Sequence, residues 1–231
     1  MTCYLADNCK KYINGNCHMN DDSFCIRKFK EDKLFDLAMI DEVNRNRVNF
    51  FTYNEDPESE KNLFKRVIDI NNDIKDLVSE GKNFYLYSDR CGNGKTLSAL
   101  SFCKSYIDSI WIETEISCRV LFINVPRFLL ELKANISQKS EYIAHILNNV
   151  LSADLVVWDD IGSKLGTEFE IENMLSLINN RLDFHKSNIY TSNILPDQLE
   201  SVIGPRLASR IVGLSELLRF DGYDKRGVVA Q

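Results

Sequence analysis

Residues 84–96 read FYLYSDRCGNGKT: an apolar run, a loop holding two glycines, and Gly94-Lys95-Thr96 opening a helical pattern. Strand, glycine loop and helix in that order are the setting in which a backbone can wrap a phosphate. Gly92 and Gly94 let N–H groups curl toward phosphate oxygens, and the following helix points its positive end at them. Lys95 supplies charge for the β- and γ-phosphates. A chain built round such a loop is held to an α/β fold, with its ligand at the carboxyl ends of parallel strands. Gly92, Asn93, Gly94, Lys95, Thr96 and Leu97 are the candidate contacts to ATP or GTP. The pattern GxxxxGK[ST] asks for glycine where this chain has Asp89, so the turn out of the strand falls to a residue that tolerates left-handed and turn backbone.

Residues 154–160, DLVVWDD, read as a second buried strand ending in two carboxylates. The Thr96 hydroxyl and the Asp159 carboxylate are hard oxygen ligands suited to Mg²⁺. Asp160 can orient or deprotonate the water that attacks a γ-phosphate; the alternative is a solvated strand-end acid. Adjacent acids at the end of an apolar strand are costly without a cation, which favours the catalytic reading. Asn193 ends the run IYTSN, where its amide can reach both γ-phosphate and water, or serve only as a turn residue. Arg206 and Arg210, in GPRLASRI, are spaced i,i+4 and share one helix face behind Pro205. Either they are solvated charges, or a rigid element offers them to phosphate oxygens, including those of a neighbouring subunit.

The chain of 231 residues can bury one sizeable core and an appendage. No apolar run reaches membrane-spanning length and no secretory leader pattern opens the sequence, so a cytoplasmic protein is expected. The net charge of −6 and pI near 5.2 argue against sequence-independent nucleic-acid binding by the whole surface. Of seven cysteines, Cys91, Cys103 and Cys118 lie in the nucleotide-binding region, where small buried thiols are the ordinary reading. Cys3, Cys9, Cys17 and Cys25 crowd the start of the chain, beside His18. In a reducing compartment this crowding points to a tetrahedral Zn²⁺ site, although the spacing C-x5-C-x7-C-x7-C is wider than a C-x2-C knuckle. The other reading is a small helical cap with reduced, non-ligating cysteines.

After Cys25, Ile26, Phe29, Leu34, Leu37 and Ile40 recur at helical spacing, while 44–60 loses that period and reads as a linker. Three parts follow: a cysteine-rich module over 1–43, a linker over 44–60, and a nucleotide-binding domain over 61–231. Helices are expected near 61–79, 95–109, 126–150, 168–184 and 204–212. Strands are expected near 84–88, 119–124, 154–159, 188–192 and 216–220, short and apolar as in a parallel sheet covered on both faces.

The order GNGKT, DLVVWDDIG, IYTSN and GPRLASRI resembles the AAA+ ATPase core of the DnaC/DnaI-type helicase loaders, relatives of the IstB transposition ATPases and of DnaA, over about residues 44–226. The resemblance implies a P-loop AAA+ core with a five-stranded parallel sheet and no full helical lid, preceded by a small zinc-binding, helical module. It implies that Lys95 and Thr96 are Walker A, Asp159 and Asp160 Walker B, and Asn193 sensor 1. Arg210 becomes an arginine finger acting in trans, Arg206 the preceding arginine of its box, and Arg226 a sensor-2-like arginine. The partners implied are a replicative DNA helicase, gripped by the N-terminal module, and single-stranded DNA, approached by 126–150 with Arg127, Lys133 and Lys139 in an ATP-dependent oligomer. Asp160 stands where glutamate is commoner, which implies slow turnover, and the compact size suggests a phage or mobile-element protein. Two rival readings are an IstB-like transposition ATPase on duplex DNA and a non-catalytic ATP-binding adaptor that blocks a host helicase.

Overall fold

The computed structural model describes residues 9, 12–14, 16–17, 23–49, 58–136, 138–163, 167–222 and 224. The first elements are a two-strand antiparallel ribbon, β1 (Tyr12–Ile13) and β2 (Asn16–Cys17). The helices α1 (Ser23–Leu37), α2 (Glu42–Asn49) and α3 (Glu58–Ser79) follow. The core then alternates β3 (Phe84–Tyr87), α4 (Lys95–Ile110), β4 (Val120–Asn124), α5 (Val125–Ala134), α6 (Glu141–Asn149), β5 (Leu155–Asp159), α7 (Glu168–Asp183) and β6 (Ser187–Ser192). It closes with α8 (Leu199–Ile203), α9 (Pro205–Gly213) and β7 (Glu216–Arg219).

Five strands form one parallel sheet in the order β4-β5-β6-β3-β7. Side chains alternate between its faces. Phe84, Leu86, Val120, Leu155, Val157, Ile189 and Leu218 join one apolar cluster with α1, α3 and α4. Tyr85, Leu121, Ile123, Val156, Trp158 and Tyr190 join another with α5 to α9. This is the doubly wound arrangement expected, and β6 lies between the loop-bearing β3 and the acid-bearing β5.

Three expectations are corrected. The helix expected over 126–150 is two helices, because Ser140 caps α6 by accepting from Ile143 N and the Asn135 side chain accepts from Ser140 N at 2.8 Å. The 44–60 stretch is helical at both ends, in α2 and from Glu58 onward. Nor does α1 stand apart from the sheet: Leu34, Phe35, Ala38 and Ile40 are buried in the same cluster as α3 and α4. The amide of Phe122, on the β4 edge, donates to the carbonyl of Ala38 at 2.9 Å. Covering an edge strand in this way satisfies backbone groups that would otherwise invite pairing with another chain.

Arg181 of α7 is fully buried and binds the amino ends of β5 and β6 together. It donates to Asn188 Oδ1 at 2.7 Å and to the carbonyls of Val150, Ala153, Asp154 and Ser187. Burial lowers its pKa to about 10, so it stays cationic at neutral pH.

Candidate nucleotide-binding site

Strand alternation brings the acids to the loop. Leu155 and Val157 face the α4 side of the sheet, so Asp159, two residues on, faces it as well. On the neighbouring strand Ile189 faces the same side, and Thr191 follows it by the same count. Asp159 Oδ1 accepts from Thr96 Oγ1 at 2.9 Å and from Thr191 Oγ1 at 2.8 Å. Its Oδ2 accepts no hydrogen bond among the described residues. One carboxylate oxygen is thus held while the other is uncommitted beside a second hard oxygen, Thr96 Oγ1, a donor set that suits Mg²⁺.

Asp160 leaves the strand in the left-handed region, at φ 62. Its N–H donates to Thr191 Oγ1 at 2.9 Å, and its Oδ1 accepts from Asn193 Nδ2 at 3.2 Å. Burial raises the Asp160 carboxyl above the usual carboxylate range, the charge of Asp159 raises it further, and Lys95 opposes the rise. Asp160 and Asn193 therefore form a hydrogen-bonded pair beside the acid that would hold the cation.

The loop takes its sharpest turns at glycine. Gly92 and Gly94 have φ of 77° and 102°, conformations that cost glycine little. A Cβ on Gly94 would meet nothing within 4 Å, and α4 begins there with no side-chain cap. A sixteen-residue helix with uncapped first N–H groups, opening onto free space, fits a phosphate. Asp89 lies in the bend out of β3, as expected, without entering the left-handed region. The chain leaves β3 through a Ser88 turn, in which Arg90 N donates to Ser88 Oγ at 2.9 Å.

Lys95 is 6% exposed, its Nζ donating to Arg90 O at 2.8 Å and Asn93 Oδ1 at 2.9 Å. The Asn93 amide nitrogen spans Ser88 Oγ at 2.7 Å and Phe220 O at 2.8 Å. Its side chain therefore braces the loop against the end of β7, and only its backbone is left for a ligand. Against Gly92 lies Asp224: a Cβ on that glycine would fall 1.8 Å from Asp224 Oδ1. Leu97 follows in the first turn of α4.

Other expected site residues are not gathered here. Arg206 and Arg210 are exposed on α9, and among the described residues neither makes an ion pair or contacts the acids or the loop. Arg226 lies outside the described residues. So do Cys3 and His18; Cys9 and Cys25 are half-buried and Cys17 is exposed. Among the described residues no three His, Cys, Asp or Glu side chains converge to hold a metal, so the expected Zn²⁺ finds no support there. Of the basic residues in 126–150, Arg127 stacks 4.2 Å over Tyr142, Lys133 pairs with Glu170 at 3.0 Å, and Lys139 is exposed. Sequence reasoning missed Ser88 and Thr191. Thr191 was within reach, since alternation places the residue two before Asn193 on the same face as Asp159.

No protein-family model and no curated protein matches the sequence. Among solved structures, the DnaC helicase loader superposes with a TM-score of 0.62 at 22% identity, over 78% of this chain and 99% of that one. DnaI superposes with a TM-score of 0.55 at 18% identity, over 78% of this chain and 89% of its own. The replication initiator DnaA bound to AMPPCP and single-stranded DNA superposes with a TM-score of 0.58 at 19% identity, over 76% of this chain and half of DnaA. At these identities the likeness is one of fold: the chain has the AAA+ fold shared by the DnaC and DnaI loaders and by DnaA.

Proposed function

We propose that this chain is a DNA-replication AAA+ protein that binds ATP with Mg²⁺ and loads a replicative helicase onto single-stranded DNA. The observation that carries the reading is the convergence of Lys95, Thr96, Asp159, Asp160 and Asn193 at the carboxyl ends of three adjacent strands, in a chain that covers 99% of the solved DnaC chain.

In this reading the loop N–H groups and Lys95 bind the phosphates, Lys95 exchanging its present carbonyl and amide acceptors for phosphate oxygens. Thr96 and Asp159 hold Mg²⁺, which when bound offsets charge on the β- and γ-phosphates. Asp160 accepts a proton from the attacking water, and its raised pKa brings it nearer neutrality, where a general base is more effective. Asn193 orients that carboxylate. Arg210, without an ion pair among the described residues, reaches the nucleotide of the next subunit, with Arg206 beside it on the same face. The N-terminal region grips the helicase, and 126–150 approach the DNA.

The test is retention of the source cell's replicative helicase by the intact protein with ATP, set beside Lys95→Ala. Helicase retained by the wild type and lost or weakened in the variant supports the loader. Retention of duplex DNA with no helicase would replace it with the transposition-type reading.

A further inference from the structure

The strand that carries Asn193 does more than present it. Thr191, Ser192 and Asn193 are consecutive, and each is committed to the turn after β5. The Ser192 hydroxyl donates to Ile161 O at 2.7 Å, and Asn193 donates to Asp160. Thr191 makes three bonds: Oγ1 donates to Asp159 Oδ1 at 2.8 Å and accepts from Asp160 N at 2.9 Å, and its carbonyl accepts from Ile161 N at 2.9 Å. A hydroxyl has one proton to give and lone pairs to receive, and this one bridges both acids. At 2% exposure it has little access to water that could take over either bond.

Both bonds hold something that would otherwise move. Asp159 Oδ1 takes two hydroxyls, and Thr96 is itself a candidate Mg²⁺ ligand, so Thr191 is the anchor that is not also asked to hold the cation. Asp160, at φ 62, holds a left-handed backbone conformation that residues with a side chain adopt sparingly. Such a conformation persists only where neighbours over-determine it. We propose that Thr191 is the positioning residue of the acidic pair, fixing which Asp159 oxygen is left for Mg²⁺ and holding Asp160 in the turn that joins its carboxylate to Asn193. The proposal rests on the Mg²⁺–nucleotide reading of this site.

The test compares wild type, Thr191→Val and Thr191→Ser by titrating a fluorescent ATP analogue in EDTA and at graded Mg²⁺ concentrations. Valine keeps the shape and removes the hydroxyl. Its expected signature is unchanged affinity in EDTA with about a tenfold higher Mg²⁺ requirement, the usual scale for losing a group that orients a metal ligand. Serine restores the wild-type requirement, and in steady state valine lowers kcat more than it raises KM. An unchanged Mg²⁺ requirement in valine would overturn the proposal, as would equal weakening with and without metal, which marks a merely structural role. Wild-type protein that binds no nucleotide under any condition removes the underlying reading and the proposal with it. Should the valine protein not fold, Thr191→Ala read against Thr191→Ser supplies the same comparison.

Discussion

Asp160 stands under two opposed demands. Its burial and the adjacent Asp159 charge raise its pKa in the folded state, so at neutral pH its ionised form works against folding. The sign follows: relative to an unperturbed aspartate, it favours the native state at pH below the ordinary carboxylate range, and that advantage is lost as pH rises through the raised value. Asp160→Asn should therefore raise the thermal midpoint at pH 7, with the gain vanishing in acid, while ATP turnover falls by about 100-fold or more. Calorimetry across pH and a phosphate-release assay would check the pair. Lys95→Ala should weaken nucleotide binding by roughly 10- to 100-fold, the scale of a lost charge-assisted contact, as read by equilibrium titration. Both residues were legible in the sequence because their chemistry is unusual for their setting. Thr191 was harder to see: a threonine in a strand is ordinary until the register shows what its hydroxyl faces.

Element by element, legibility followed periodicity. The five core strands were found to within a residue or two, since each is apolar and short, as a sheet covered on both faces demands. Boundaries set by side-chain hydrogen bonds were lost. The break between α5 and α6 is written in Asn135 and Ser140, polar residues inside a long amphipathic run. Asn-Gly is a strong hairpin signal, and at its asparagine, Asn14, φ is 52, next to Ile13, which pairs with Asn16. Helix α7 shows what such bonds are worth. The Thr167 side chain accepts from Glu170 N, and the Glu170 side chain accepts from Thr167 N at 2.7 Å, a reciprocal capping box. Thr167→Ala should cost about 1 kcal/mol by urea unfolding, with nucleotide affinity unchanged.

At the scale of the whole molecule, the proposed function completes the site only with a second protomer. The two arginines expected to reach phosphate point from α9 into solvent, so the proposed function requires a neighbour. Arg210→Ala should keep wild-type nucleotide affinity and lose turnover. Mixed with Asp160→Asn, which keeps its arginine, it should recover part of the activity, because some mixed interfaces pair an intact acid with an intact arginine. Phosphate release from the mixture checks this, and activity no higher than that of the separate variants would count against action in trans. The layered α/β plan was readable from the alternation of elements. The joining of the N-terminal helix to the sheet was not, because it depends on contacts between residues about 80 positions apart in sequence. That joint decides where the chain can be cut. A protein starting at residue 44 would surrender Leu34, Phe35, Ala38 and Ile40 and bare the β4 edge, so its failure to hold a helicase would report a damaged body and say nothing of a missing hand. A cut that spares this joint has to fall before α1, which begins at Ser23.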